Sequence, residues 1–260
     1  MATDNSQLAL YTGAEEYDLE NGLVDDSLPF YSAIARASGG PALDLACGTG
    51  FLAIPLAQLG LDMTGVDRAP EMLDHARRKS GALNIHWVLG DILTLDLRAR
   101  FRLITLTGNA FQEFLTRADQ ERLLDAVRRH LAPDGVFAFE TRFPRASELL
   151  TPAALTGDWS EETIWRRHLD ARGETVTVST AQRHDALRQT VEYVIFRRWD
   201  EDGRAEVREE TTTLRLVYPQ EMDALLHYNG LAIRDAYGDW GRRPLASESP
   251  RMIYVCQLRR

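Results

Sequence analysis

The stretch Ala42-Leu-Asp-Leu-Ala-Cys-Gly-Thr-Gly50 constrains the fold more than any other part of the chain. Ala42 to Ala46 is a short apolar run with one acid, and Cys47 to Gly50 is a loop. Phe51 to Leu59 reads as a helix that begins inside that loop and ends at Gly60. A strand that feeds a helix through glycines lets a ligand approach the backbone at the helix N-terminus. The pattern then repeats. Leu61 to Val66 predicts a second strand ending in Asp67, Ala69 to Lys79 a helix opened by Pro70, and Ile85 to Leu89 a third strand closed by Gly90-Asp91. Leu103 to Leu106 and Val136 to Glu140 continue as fourth and fifth strands. Between them lie a helix from Asp119 to Leu131 and a turn at Pro133-Asp-Gly135. A helix from Ser27 to Ala37, stopped by Gly39-Gly40-Pro41, precedes the series. Strands alternating with helices imply a parallel sheet with right-handed crossovers.

After Pro144 the alternation is lost. Thr175 to Arg183, Leu187 to Trp199 and Ala205 to Tyr218 are rich in Thr, Val and aromatics and predict three antiparallel strands, the last two joined by Asp200-Glu-Asp-Gly203. Alternation puts Tyr193 and Trp199 on one face of this insert and Phe196 on the other. A helix from Pro219 to Tyr228 and strands from Leu231 to Tyr237 and Met252 to Leu258 finish the chain. The domain organisation expected is a core of residues 1–150 and 217–260, with residues 151–216 as an antiparallel insert that serves as a lid or a dimerisation sheet.

Composition excludes several classes. At 260 residues, 44% hydrophobic and 27% charged, the chain is that of a folded protein rather than a linker or disordered tail. A net charge of −9 argues against a nucleic-acid binder, whose field must attract phosphates. No uncharged apolar run approaches the roughly 18 residues of a membrane span. The polar start MATDNSQLAL and only two cysteines, Cys47 and Cys256, lead us to expect a reduced, cytoplasmic setting. The six histidines show no metal-ligand spacing, so no metal site is expected.

Taken alone, the glycine loop suits a dinucleotide, another nucleoside or no ligand at all. Asp44 narrows the choice, because a carboxylate inside a strand is costly to bury unless a cationic or NH-rich ligand satisfies it. Asp67, 19 residues after Gly48, stands where a carboxylate accepts both hydroxyls of a ribose. Asp91 offers an acceptor for an adenine amine, with Ile92 beside it to pack against the ring.

In this order the motifs resemble those of the class I S-adenosylmethionine-dependent methyltransferases. The glycine loop is matched by Asp44 to Gly50, the second-strand acid by Val66-Asp67 with Arg68-Ala-Pro-Glu-Met-Leu73, and the third by Gly90-Asp91. The resemblance implies an α/β fold, a Rossmann-like seven-stranded, mostly parallel sheet flanked by helices, with the antiparallel insert after the fifth strand. It implies S-adenosylmethionine as cofactor, its methionine part held by Asp44, Ala46, Gly48 and Gly50. The ribose would fall to Asp67, with Arg68 and Met72 nearby, and the adenine to Gly90, Asp91 and Ile92. Tyr17, like Tyr11, sits in an N-terminal arm that either folds over the cofactor or hangs as a loose tail.

The stretch Thr105-Leu-Thr-Gly-Asn-Ala-Phe-Gln-Glu-Phe114 follows the fourth strand, so Thr107 and Asn109 should face the transferable methyl group. The Gly-Asn-small-Phe run, with an Arg two residues past the acid of Phe139-Glu-Thr-Arg142, resembles small-molecule N-methyltransferases that include the glycine and amino-sugar methylating enzymes, and it departs from the sugar enzymes at Glu140-Thr-Arg142. The implied reaction is in-line methyl transfer to a small-molecule acceptor, foremost an amine, with Asn109, Glu140 and Arg142 at the acceptor. Glu140, Glu113 or a tyrosine would serve as base, and Arg142 would grip an anionic part of the acceptor. An O-methyltransferase, a nicotinamide-dependent oxidoreductase and a non-catalytic cofactor-binding protein are the alternatives. A homodimer is possible.

Overall fold

The computed structural model describes residues 13–21, 27–201 and 203–259. Contacts divide the chain into two units, the described parts of Leu23–Phe143 with Val217–Arg260, and those of Met1–Gly22 with Pro144–Leu216.

The first unit is built on a seven-stranded sheet. Its helix α2 (Ser27–Ser38) buries Phe30, Tyr31, Ile34 and Ala35 and ends where Gly39 takes φ +69°. Strand β1 (Ala42–Leu45) is buried throughout. Helix α3 (Ala53–Gln58) starts two residues later than the sequence predicts, because Cys47 to Leu52 is spent on consecutive turns. Strand β2 (Met63–Asp67) pairs with β1, helix α4 (Pro70–Ser80) follows with Pro70 in its first turn, and β3 (Ile85–Leu89) pairs with β2. Strand β4 (Phe101–Leu106) lies on the other side of β1, and helix α5 (Arg117–His130) is capped by the Thr116 hydroxyl. Strand β5 (Leu131–Arg142) begins five residues before the expected start. Pro133 to Gly135, read as a turn, form an irregularity inside it, where the register with β4 shifts.

After the second unit the chain returns through helix α8 (Pro219–Tyr228) and strands β10 (Leu231–Tyr237) and β11 (Arg251–Leu258). The strand order is β10-β11-β5-β4-β1-β2-β3, with β11 antiparallel to both of its neighbours. Alternate strand residues enter two hydrophobic layers. Leu43, Leu45, Ile104, Phe137 and Phe139 pack on the side of α5 and α8, while Ala42, Leu103, Val136 and Ala138 pack on the side of α2 and α3. Chain order reverses between β1 and β4, which places a crevice at the C-terminal ends of these strands.

The second unit holds a four-stranded antiparallel sheet, β6 (Thr163–Leu169), β7 (Thr175–Asp185), β8 (Thr190–Glu201) and β9 (Arg204–Arg215), in that order. Three strands were expected. Helices α6 (Ala146–Leu149) and α7 (Pro152–Thr156) lead into it, and α1 (Ala14–Asn21) belongs to it through an ion-pair network. Arg197 of β8 donates to both oxygens of Glu20, at 2.5 and 2.7 Å, and also to Glu210, while Arg208 donates to Glu16. The side chain of Arg197 is 8% exposed and that of Glu20 2%. The expected core boundary thus differs from the observed units, which place residues 13–21 and 144–150 with the antiparallel sheet. No helix among the described residues is long and apolar enough to cross a membrane.

Candidate active site

At the C-terminal end of β1 the chain makes a tight loop whose backbone leaves the usual regions three times, at Ala46 (φ +51°), Gly48 (φ +53°) and Gly50 (φ +79°). A Cβ on Gly50 would lie 2.8 Å from the Trp87 ring, so only glycine lets the loop close over that indole. On Gly48 a Cβ would meet nothing within 4 Å, which leaves room beside the loop for a ligand.

Three acids lie on or just past three adjacent strands, β1, β2 and β3. Asp44 is 1% exposed and lies beside Thr105, whose hydroxyl donates to its Oδ1 at 2.7 Å; Oδ2 is buried with no partner. Asp67 accepts from the Gly48 amide at 2.7 Å and the Ala69 amide at 2.8 Å, one with each oxygen, so it ties the glycine loop to the start of α4. Asp91 is exposed and accepts from the Leu93 amide at 2.9 Å, capping the short turn in which Ile92 is buried. The Gly90 amide in turn donates to the Asp67 carbonyl at 2.9 Å. Arg68 pairs with Glu113 at 3.2 Å, which links the loops after β2 and β4. Met72 is buried on the inner face of α4, with Leu73 and Ala76.

Beyond β4, half-buried Thr107 accepts from the Ala110 amide, and Asn109 adopts the left-handed conformation at φ +60° with its side-chain Oδ1 buried and unpartnered. Glu140 holds this turn in place. One of its oxygens accepts from the Gly108 amide at 2.7 Å and the other from the hydroxyl of Tyr31 on α2. A carboxylate so enclosed is 4% exposed. Arg142 is exposed at the end of β5, opposite Arg251 of β11. Tyr17 lies on α1, in the other unit, and Tyr11 lies outside the described residues. Tyr31 and Arg251 had no role in the sequence reading. The helical periodicity marked Tyr31 as an apolar face residue, and nothing local ties it to a carboxylate 109 positions away.

Sequence spacing finds no metal set, yet the fold brings Glu16, Glu20 and His168 together in the second unit. Arg208 and Arg197 already hold both carboxylates there.

A family model described as a methyltransferase domain matches residues 42–135, from the start of β1 into β5. Residues 42–135 are thus similar to a methyltransferase domain. The chain is 31% identical over 129 residues to the cypemycin N-terminal methyltransferase of a Streptomyces species, covering 48% of this chain and 52% of that one. It is also 31% identical over 156 residues to the dTDP-3-amino-3,6-dideoxy-alpha-D-glucopyranose N,N-dimethyltransferase of Streptomyces fradiae, covering 59% and 56%. The chain thus spans about half the length of these curated relatives. The CcbJ methyltransferase from Streptomyces caelestis shares the fold, with a TM-score of 0.78 at 24% identity over 96% of this chain and 98% of that one.

Within the first unit, burial governs the electrostatics. It pushes the Asp44 carboxyl up to about 7 against the hydrogen bond from Thr105, and the negative charges of Glu140 and Asp67 act in the same direction. Burial likewise pushes Glu140 up to about 7, opposed by the bonds from Tyr31 and Gly108 and by the charge of Arg251. Asp67 is raised less far, since the Ala69 and Gly48 amides favour its ionised form. The Cys47 thiol, buried beside these acids, is raised well above its ordinary value and is a poor nucleophile.

Proposed function

We propose that this chain binds S-adenosylmethionine and transfers its methyl group to an amine nitrogen of a small molecule. The observation that carries the proposal is the unpartnered Oδ2 of buried Asp44 on the strand that feeds the glycine loop, a position that calls for a cationic donor group. Asp44, Gly48 and Gly50 would hold the methionine part, Asp67 the ribose, and Asp91 with Ile92 the adenine. Bound there, the cofactor would supply an electrophilic methyl group on a positively charged sulfur. The protein's task is then orientation and exclusion of water rather than covalent chemistry. Asn109 supports the amine assignment, because its buried, unpartnered Oδ1 can accept from an acceptor N–H. The two Streptomyces relatives, a cypemycin N-terminal methyltransferase and a sugar N,N-dimethyltransferase by name, point the same way. Arg142, exposed at the end of β5, is assigned to an anionic part of the acceptor.

Calorimetry with S-adenosylmethionine and turnover against a panel of amines and hydroxyl compounds test this reading. Asp67→Ala should weaken cofactor binding by about 1.5–3 kcal/mol, the cost of a lost hydrogen bond to a charged group. Arg142→Met should raise the acceptor's KM by one to two orders of magnitude on the order expected for a lost charged contact and leave cofactor affinity alone. Full affinity in the first variant, or methylation of hydroxyl compounds alone, would refute the corresponding part.

A further inference from the structure

If the site binds S-adenosylmethionine as proposed above, its charges carry a second consequence. Asp44 of β1, Thr105 of β4 and Glu140 of β5 alternate in step with Ala42, Leu103 and Ala138, so all three point to the sheet face covered by α2 and α3. Two carboxyls are thereby buried on one face, 1% and 4% exposed. The cation whose charge reaches Glu140 and Tyr31 is Arg251 of β11. Asp67 of β2 adds negative charge toward Asp44, and the hydroxyl of Tyr31 on α2 stays un-ionised through burial and the neighbouring Glu140 charge. With Asp44, Glu140 and Asp67 ionised against the one cation Arg251, negative charge is left uncompensated, and a buried uncompensated charge is resolved by taking up a proton or a cation.

We propose that Asp44 and Glu140 retain a proton between them that the sulfonium charge of the methyl donor displaces, so the site distinguishes the donor from its thioether product, which keeps the ammonium but lacks that charge, by proton release. Tyr31 is the positioning residue of this device. Its hydroxyl donates to the ionised form of Glu140 and, through Glu140, fixes the Gly108–Asn109 turn. The unpartnered Oδ2 of Asp44 is where a proton or a ligand cation would sit, and the carboxyls, both pushed up to about 7 by burial, can exchange one near neutrality.

Titration calorimetry of the whole chain at pH 7, run in phosphate and in Tris, counts the protons exchanged because the two buffers differ in ionisation enthalpy. S-adenosylmethionine should release up to about one proton, since two carboxyls that titrate near 7 hold about one between them at that pH, and S-adenosylhomocysteine much less. Equal counts for the two ligands overturn the proposal and leave the cofactor assignment standing. No heat and no thermal shift with either ligand overturns the assignment itself and the proposal with it. Tyr31→Phe removes a bond that favours the ionised Glu140, so the midpoint of release against pH should rise by about one unit while the circular dichroism stays that of the wild type. Asp44→Asn and Glu140→Gln should each diminish the release. A folded Tyr31→Phe protein with an unmoved midpoint shows that the tyrosine only packs.

Discussion

Asp44 and Glu140 hold their protons to about pH 7 in the folded chain, whereas carboxyls in an unfolded chain release them near pH 4. Between those limits the folded state binds more protons than the unfolded one. The pair's contribution to stability is therefore complete below about pH 4 and is lost as pH rises to about 7. The ligand-free Tm should fall between pH 5 and 7.5, and that slope should flatten in the Asp44→Asn, Glu140→Gln double variant. Parallel slopes in melting scans of the two proteins would show that other groups set the dependence. Asp67 has a different part. Each of its oxygens already serves a backbone amide, and replacing it loosens the glycine loop as well as any grip on a ribose.

At the scale of elements, one aromatic ring joins two glycines. A Cβ on Gly65 of β2 would lie 2.5 Å from Trp87 and 3.0 Å from the Cys47 sulfur, and the same indole lies under Gly50. Gly65→Ala should cost about 1–3 kcal/mol through overpacking, read from urea unfolding, and weaken cofactor binding because Trp87 must move beneath the loop. Undiminished affinity would mean that the ring shifts away from the loop. The strands and helices up to β5 were legible because their signals are local, each a hydrophobic run closed by a glycine or an acid. Strand β6 was not. It is an edge strand, largely exposed, and its Thr-Ile-Trp-Arg-Arg-His-Leu shows no alternation to read. The acids of the site were legible for the same local reason, since Asp44, Asp67 and Asp91 each end or interrupt a strand. Tyr31 and Arg251 reach Glu140 only through tertiary packing, which leaves no mark on their immediate neighbours.

For the whole molecule, the division into two units assigns every proposed cofactor residue except Tyr17 to one of them. A variant lacking residues 1–22, with 145–216 replaced by a short linker, should therefore still bind S-adenosylhomocysteine, as measured by thermal shift, and should not turn over. Loss of binding would place a cofactor contact in the removed segments. The union of α1 with β8 also sets an order of events during synthesis. Glu20 leaves the ribosome 177 residues before the Arg197 that neutralises it. At about 5–20 residues per second, α1 waits roughly 9–35 s for its partner. In that interval the parallel strands β1 to β5 are all made, so the first segment of this unit to emerge docks among its last.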